Sequence, residues 1–564
     1  MSPDTAADVI VIGAGPGGGS CAWALARAGV RVLLLDAGPS YDFATDYRLQ
    51  LADWERSGFP DPKPAQESYS FGPMQTLAAR WDKLRSWNHI HGRLAPGGKR
   101  RGWRYHHVQG IGGSTLHFSS EAHRLHPRAM QLERDFGVAA DWPFDYAALE
   151  PWYEQAEALI GVAGPDPDAS RPRRRPYPQP AHPPSHAGRC LQAAGKRLGQ
   201  HWQANSLAAL SQPHLGRPAC NYCANCVRGC PRGDKGSADV TFIQQARASG
   251  RCEVRPNTRV LRLITGPGDR IRSLECIDAQ GRPFELSARI IVVAAGAVQT
   301  PRLLLLSESA RAPAGVGNAA GQVGRHFMET LAWTSSALHP EPLGSHRGLP
   351  MDVACWDHNA PDAIPDVIGG CRFAAGTAEA DLLGPINYAR RVVPGWGREH
   401  KQRLRERFGR ALSVVAIGEF LPNDRSYIDL DPERADAHGL PLARLHSHID
   451  EPACRRLQFM ARTCRDLLQA AGTEAPFEEY GSYDLFSATH VFGGARLGQD
   501  PEHSVVNADG RVHDWRNLYV SDASLFPSSG GGESPSLTIA ALGIRIAQKI
   551  RAALQSGADR GAEA

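Results

Sequence analysis

Four cysteines carry the most specific chemistry in this chain. Cys220, Cys223, Cys226 and Cys230 lie in "ACNYCANCVRGCP" (219–231) with the spacing C-x2-C-x2-C-x3-C, and Pro231 follows at once. Bacterial ferredoxins wrap a cubane iron–sulfur cluster with this run, the fourth cysteine often serving a second cluster. The sequence holds no second run. Four thiolates also satisfy tetrahedral zinc, and the same cysteines could pair as disulfides. Structural zinc sites usually split their ligands into two separated pairs, so a single tight loop favours iron–sulfur. The other eight of the twelve cysteines are scattered singly, several among apolar neighbours. That pattern suits a reducing compartment better than a disulfide framework.

A second constellation opens the chain. In "DVIVIGAGPGGGSCAWALARAGVRVLLLDAG" (8–38), Gly13, Gly15 and Gly18 form G-x-G-x-x-G between an apolar run and an amphipathic one. The first glycine allows a tight turn, the second lets a pyrophosphate reach the backbone, and the third lets helix and strand pack closely. The helix then offers its free N–H groups to the phosphates. Asp36 ends the second apolar run, where a carboxylate holds ribose hydroxyls. A dinucleotide site is expected here, and these residues alone do not separate FAD from NAD.

The elements that must position these groups need more than one compact core. At 564 residues, two or three structural units are expected. Hydrophobic residues at 42% and charged residues at 22% are ordinary for a globular protein, and a net charge of +4 gives no case for nucleic acid. The most apolar run, "IIVVAAGAVQTPRLLLL" (290–306), is broken by Gln299, Thr300, Pro301 and Arg302 and predicts a buried strand plus a helix start, so no transmembrane segment is expected. The N-terminus shows no charged-then-apolar leader. The expected location is cytoplasmic, or periplasmic or membrane-associated only through a partner that carries the export signal.

The far end, "RNLYVSDASLFPSSGGGESPSLTIAALGIRIAQKI" (516–550), predicts a strand, an acidic turn, a glycine-rich loop and a helix. Here the chain resembles the glucose-methanol-choline (GMC) family of FAD oxidoreductases. "VQGIGGSTLHF" (108–118), "AAGAVQTPRLLLLS" (294–307), "VGRHFME" (323–329) and "HVFGGARLGQDPEHSVVNADGRVHDWRNLYVSDASLFP" (490–527) carry the resemblance in order. It implies an α/β fold: a discontinuous Rossmann-like FAD-binding domain (1–45, 95–160, 235–330 and 488–555) and a substrate domain on a largely antiparallel sheet (46–94 and 331–487). Residues 161–234 would form a Pro-rich connector and a cysteine-rich, cluster-binding insertion, and 556–564 a tail. The stretch 163–188 reads as an exposed connector.

By the same resemblance, Gly13, Gly15, Gly18, Asp36, Val260 and Asp522 would touch FAD, with Gly112, Gly113 and Ser114 in the loop embracing the flavin and Ser536 and Leu537 beside it. His117 stands where some family members bond histidine covalently to flavin; a histidine packed beside the ring is the favoured reading. His490 occupies the catalytic-histidine position, and histidine suits a base because its pKa lies near neutrality. The family's second position is Asn or His before proline; this chain has Ser534 before Pro535, with Glu533 beside it as a further catalytic candidate. The segment with Cys220, Cys226 and Cys230 resembles the iron–sulfur segment of FAD-dependent glucose and gluconate dehydrogenase subunits, which implies a [3Fe-4S] cluster, or [4Fe-4S] with Cys223.

The expected function is an FAD-dependent dehydrogenase oxidising a sugar or other alcohol by hydride transfer to flavin N5. Electrons would leave through the cluster to an acceptor protein, a cytochrome or a small companion subunit. The alternatives are an alcohol oxidase using O2 with structural cysteines, and a non-catalytic redox flavoprotein.

Overall fold

The computed structural model describes residues 7–47, 69–88, 98–376 and 385–558. Most of the expected 46–94 segment and the end of the tail therefore lie outside the described residues.

The apolar runs Val9–Ile12 and Val32–Leu35 are strands with every residue buried, as in a sheet covered on both faces. They sit in a five-stranded parallel sheet ordered Leu518–Val520, Ile290–Val293, Val9–Ile12, Val32–Leu35, Cys252–Arg255. Strands from both ends of the chain thus lie side by side, and the domain is discontinuous. The helix Pro16–Arg27 leaves the glycine turn and packs on the C-terminal helix Ser536–Ser556. At their crossing a Cβ on Gly543 would stand 2.1 Å from Ser20 Oγ, so glycine sets how closely the two helices approach. The apolar run 290–306 resolves into the strand Ile290–Val293 and the helix Gly296–Leu306. Among the described residues no helix is long and apolar enough to cross a membrane.

The second unit is a seven-stranded antiparallel sheet. Its order is Trp87–Asn88, Glu478–Gly481, Leu331–Leu338, Ala411–Gly418, Cys371–Gly376, Val353–Cys355, Trp202–Ala204. The helix Glu451–Ala470 covers it, capped by Asp450, whose Oδ1 accepts from the Ala453 N–H at 2.9 Å.

The Pro-rich stretch departs from its expected role. Ala163–Gly164 pairs with Gln179–Pro180, and the strand Trp202–Ala204 closes the edge of the large sheet. Two arginines pin the stretch down: Arg173 Nη2 meets Glu157 Oε2 at 2.6 Å, and Arg171 Nη2 meets Glu533 Oε1 at 2.5 Å. Proline content holds regular structure to that short pairing, but the arginine side chains find buried carboxylates and hold the segment against the core.

Candidate active site

At the glycine turn, a Cβ on Gly13 would lie 2.3 Å from Ala294 O, and one on Gly18 would lie 1.9 Å from Gly13 O. Both glycines let backbone meet backbone. Gly15 differs: a Cβ there would meet nothing nearer than Gly113 Cα at 4.0 Å, so the turn is open on the side a pyrophosphate would approach. Asp36 is buried, and its carboxylate accepts from the Ala14 and Gly38 N–H groups, each at 2.9 Å. Those bonds hold the strand end against the turn.

Gly112 and Gly113 carry φ of 111° and 55°, and a Cβ on Gly113 would stand 2.7 Å from Gly15 Cα. This loop therefore lies directly on the nucleotide turn. One cavity of about 1490 Å³ runs past both. Its walls include Gly13, Gly15, Asp36 and Val260, the loop residues Gly113, Ser114 and His117, and Asp522, His490, Ser534 and Ser536. Cradle, ribose carboxylate and cavity fit FAD. Gly18, Gly112 and Leu537 shape the walls from behind rather than lining them. Asp522 spends its carboxylate on the protein: it accepts from Gly296 N (2.9 Å), Thr300 Oγ1 (2.5 Å), Ser524 N (2.8 Å) and Ser524 Oγ (2.6 Å). Its role is to fix the start of the helix Gly296–Leu306 against the cavity. Burial, with Lys235 adding, pushes the His117 imidazole down to about 3, so it faces the cavity as a neutral ring.

His490 precedes the strand Val491–Phe492, which pairs with Met328–Glu329, and its carbonyl accepts from the Thr330 N–H at 3.1 Å. Its backbone is held and its ring faces the cavity. Burial pushes the ring down to about 4; the Glu121 carboxylate opposes this and Arg372 reinforces it. The imidazole is neutral at pH 7, the state a proton acceptor needs.

Ser534 lines the same cavity, but Glu533 does not. Glu533 points away from the cavity, where its Oε1 accepts from Arg171 and from the His126 N–H at 3.0 Å. Its expected catalytic role is thereby corrected: neighbouring residues on this tight loop point to opposite sides, and the carboxylate is the buried partner of an arginine. Behind Ser534 lies a set of residues that the sequence did not single out. Glu121 Oε2 accepts from Ser534 Oγ at 3.0 Å and from Arg372 Nη2 at 2.8 Å, while Oε1 accepts from Asn205 Nδ2 at 2.8 Å. His123 Nδ1 accepts from the Ser534 N–H at 3.0 Å, and its Nε2 meets Asn205 Oδ1 at 2.9 Å. Burial alone would raise the Glu121 carboxyl, but Arg372, His123 and the Asn205 bond outweigh it and hold it at about 2. The only sequence signal was proximity: "SSEAHR" (119–124) directly follows the flavin-embracing loop.

The cysteine loop abuts this cavity, since Val227 and Arg228 line it. Cys226 and Cys230 are buried, Cys220 and Cys223 half-buried, and all four are free thiols. Among the described residues, no three Cys, His, Asp or Glu side chains stand together as ligands of one metal ion. A polynuclear cluster asks for something else, one cysteine per iron and N–H donors on the sulfurs. The donor set fits that demand: the Tyr222 N–H reaches Cys220 Sγ at 3.4 Å, and backbone amides also face Cys223 and Cys230.

Comparison with known proteins agrees with this geometry. Residues 111–330 and 422–543 match the two GMC oxidoreductase family models, and residues 11–41 match an NAD(P)-binding Rossmann-like domain. The fructose dehydrogenase large subunit of Gluconobacter japonicus is 28% identical over 99% of this chain and 100% of its own. The 6'''-hydroxyparomomycin C oxidase of Streptomyces lividus is 30% identical, over 98% of this chain and 93% of its own. The structure of pyridoxine 4-oxidase from Mesorbium loti shares the fold, with a TM-score of 0.64 at 19% identity, covering 97% of this chain and 99% of that one. The chain belongs to the GMC oxidoreductase family and is an FAD-dependent oxidoreductase acting on CH–OH donors.

Proposed function

We propose that the chain is the flavoprotein of a dehydrogenase that oxidises a hydroxyl group of a sugar or other alcohol and passes the electrons to a partner acceptor, a cytochrome or a small companion subunit. One observation carries the reading: a neutral His490 imidazole faces the cavity whose walls also hold the glycine turn. FAD, when bound, supplies the acceptor for the hydride that leaves the substrate carbon. His490 takes the hydroxyl proton as that hydride departs, so the carbon ends as a carbonyl. Ser534 and the loop around it orient the substrate, and the buried Glu121–Arg372 pair keeps that loop in place. Cys220, Cys223, Cys226 and Cys230 would hold an iron–sulfur cluster, whose chemistry is one-electron transfer. That chemistry supports a protein acceptor over O2. The location we propose is cytoplasmic, unless a partner carries the chain elsewhere.

The test is anaerobic mixing of holoenzyme with a panel of sugars and alcohols, watching flavin absorbance, with iron and acid-labile sulfide assayed on the same sample. Flavin bleaching without peroxide formation in air, and near-equal iron and sulfide, support the reading. Stoichiometric peroxide with no iron would replace it with an oxidase. A bound flavin that no alcohol reduces would leave a non-catalytic redox flavoprotein.

A further inference from the structure

The hydrogens around Ser534 can be assigned one by one. Glu121 is ionised and only accepts, and it is 3% exposed. Its Oε1 is engaged by Asn205, and its Oε2 by Arg372 and Ser534. His123 Nδ1 takes the Ser534 N–H, so its ring proton sits on Nε2 and goes to Asn205 Oδ1. Asn205 Oδ1 also accepts from the Ser206 N–H at 3.0 Å, while its amide nitrogen reaches Met351 O at 2.9 Å. Of the donors in this set only Arg372 Nη1 has no acceptor among the described residues, and the Asn205, His123 and Ser534 donors are all spent within the protein. A serine hydroxyl has one proton, and here that proton belongs to Glu121.

Ser534 lines the cavity, and with its proton on Glu121 its Oγ has only lone pairs left to offer. His490, the neutral base, also accepts. The reacting hydroxyl has a single proton, and that proton goes to His490. A second acceptor in the same cavity needs a second donor.

We propose that Glu121 is a positioning residue that holds Ser534 as an obligate hydrogen-bond acceptor, creating a subsite for a second hydroxyl group of the substrate. The inference rests on the alcohol-oxidising function proposed above and narrows its substrates to polyhydroxylated ones. The ordinary alternative is a buried polar cluster that only anchors the loop 530–534. Anchoring of the loop does not use the serine hydroxyl: Arg372 Nε donates to Gly532 O at 2.6 Å, and Asn359 Nδ2 to Gly531 O at 2.7 Å. It does not require the serine hydroxyl to face a cavity.

The experiment uses holoenzyme and pairs of probes differing by one hydroxyl: 1,2-propanediol with 1-propanol, and D-glucose with 2-deoxy-D-glucose. Anaerobic flavin reduction is measured for wild type, Ser534→Ala, Ser534→Thr, Glu121→Gln and the Ser534→Ala/Glu121→Gln double variant. The wild type is expected to favour the member with the extra hydroxyl. Ser534→Ala should lose roughly 3- to 10-fold more on that member than on the other, the range of one hydrogen bond. Ser534→Thr should restore the preference. Glu121→Gln, which frees or reverses the serine proton, should erase the preference, and the double variant should be no worse than the poorer single one. Ser534→Ala leaves the Glu121–Arg372 pair intact, so it decides the matter even if Glu121→Gln does not fold. Equal losses on both members of a pair, or a wild type without preference, overturn the subsite and leave the alcohol-oxidising function standing. A wild-type flavin reduced by none of the probes or of the wider alcohol panel overturns that function, and the subsite with it.

Discussion

Lys235 Nζ lies 2.6 Å from the carbonyl oxygen of Cys226. The same ammonium donates to Leu116 O at 2.9 Å and to Phe118 O at 3.2 Å. One buried cation therefore ties the cysteine loop to the turn that carries His117. It is 1% exposed and gives three hydrogen bonds to carbonyls. Lys235→Met would take the ammonium from Leu116 O and Phe118 O, at ~1–3 kcal/mol each, and leave Cys226 O with only the long bond from the Gly229 N–H. The expected result is a lower unfolding midpoint, faster reaction of the Cys226 and Cys230 thiols with a disulfide reagent, and loss of FAD on gel filtration. Unchanged thiol reactivity in the folded variant would show that the two segments hold their places independently.

Gly15 and Gly18 belong to one motif but do different work. The Gly15 backbone sits at φ −77° in an open space, which alanine tolerates. Gly15→Ala should keep the apoprotein's stability within about 0.5 kcal/mol while weakening FAD at least about 10-fold, because the methyl group stands where the phosphates pass. Gly18→Ala puts a methyl group 1.9 Å from a carbonyl oxygen, and backbone must move. Apoprotein stability should fall by about 1–3 kcal/mol along with FAD affinity. FAD titration and urea unfolding of both apoproteins separate the two effects.

The sequence was most informative where function is written contiguously. The glycine turn, Asp36 and the segments after His490 each occupy one unbroken stretch, and strand–turn–helix order was enough to place them. The acceptor network behind Ser534 was not legible. It assembles Glu121, Asn205, Arg372 and Ser534 from four distant segments, Glu121 and Ser534 standing 413 positions apart. No periodicity links residues that meet only after both sheets have formed. Glu533 misled because it neighbours Ser534 in the chain, whereas Gly531 and Gly532 lie against the backbone oxygens of Asn359 and Ile417 and the carboxylate turns outward to Arg171. The Pro-rich stretch misled in a similar way. Its composition limits it to a two-residue strand pairing, yet it says nothing about whether arginines such as Arg171 and Arg173 will find carboxylates.

Glu419 makes stability depend on pH. It is fully buried, and burial pushes its carboxyl up to about 7; Arg456 works against this and the nearby Glu533 carboxylate adds to it. In the unfolded chain the same group titrates near 4.5. Between those values the native state holds a proton that the unfolded state has released, so stability falls as pH rises from about 4.5 through about 7. A shift of that size corresponds to roughly 3 kcal/mol above pH 7. Glu419→Gln should flatten the decline and raise stability at pH 8. Urea unfolding at pH 5, 6, 7 and 8 checks it, and parallel slopes for the two proteins would place the titration in another group.

His490 and Glu533 separate chemistry from architecture. His490 faces the cavity as a neutral ring, while Glu533 is buried against Arg171. His490→Ala should fold normally and retain FAD, because the groups that cradle the nucleotide lie on other segments. Flavin reduction by substrate should slow by ~10²–10⁴-fold, the usual contribution of a positioned general base. In the wild type, with the ring at about 4, the reduction rate should be flat from pH 6 to 8 and fall only as acid protonates the imidazole. Glu533→Gln should do the reverse. It strands the buried Arg171 guanidinium, a loss of ~3–5 kcal/mol, yet the folded fraction should reduce within a few-fold of wild type. Stopped-flow reduction per bound flavin, set beside unfolding midpoints for both variants, reads the two effects apart. A fast His490→Ala together with an inactive, stably folded Glu533→Gln would move the base to Glu533 and require the loop 530–534 to turn over during catalysis.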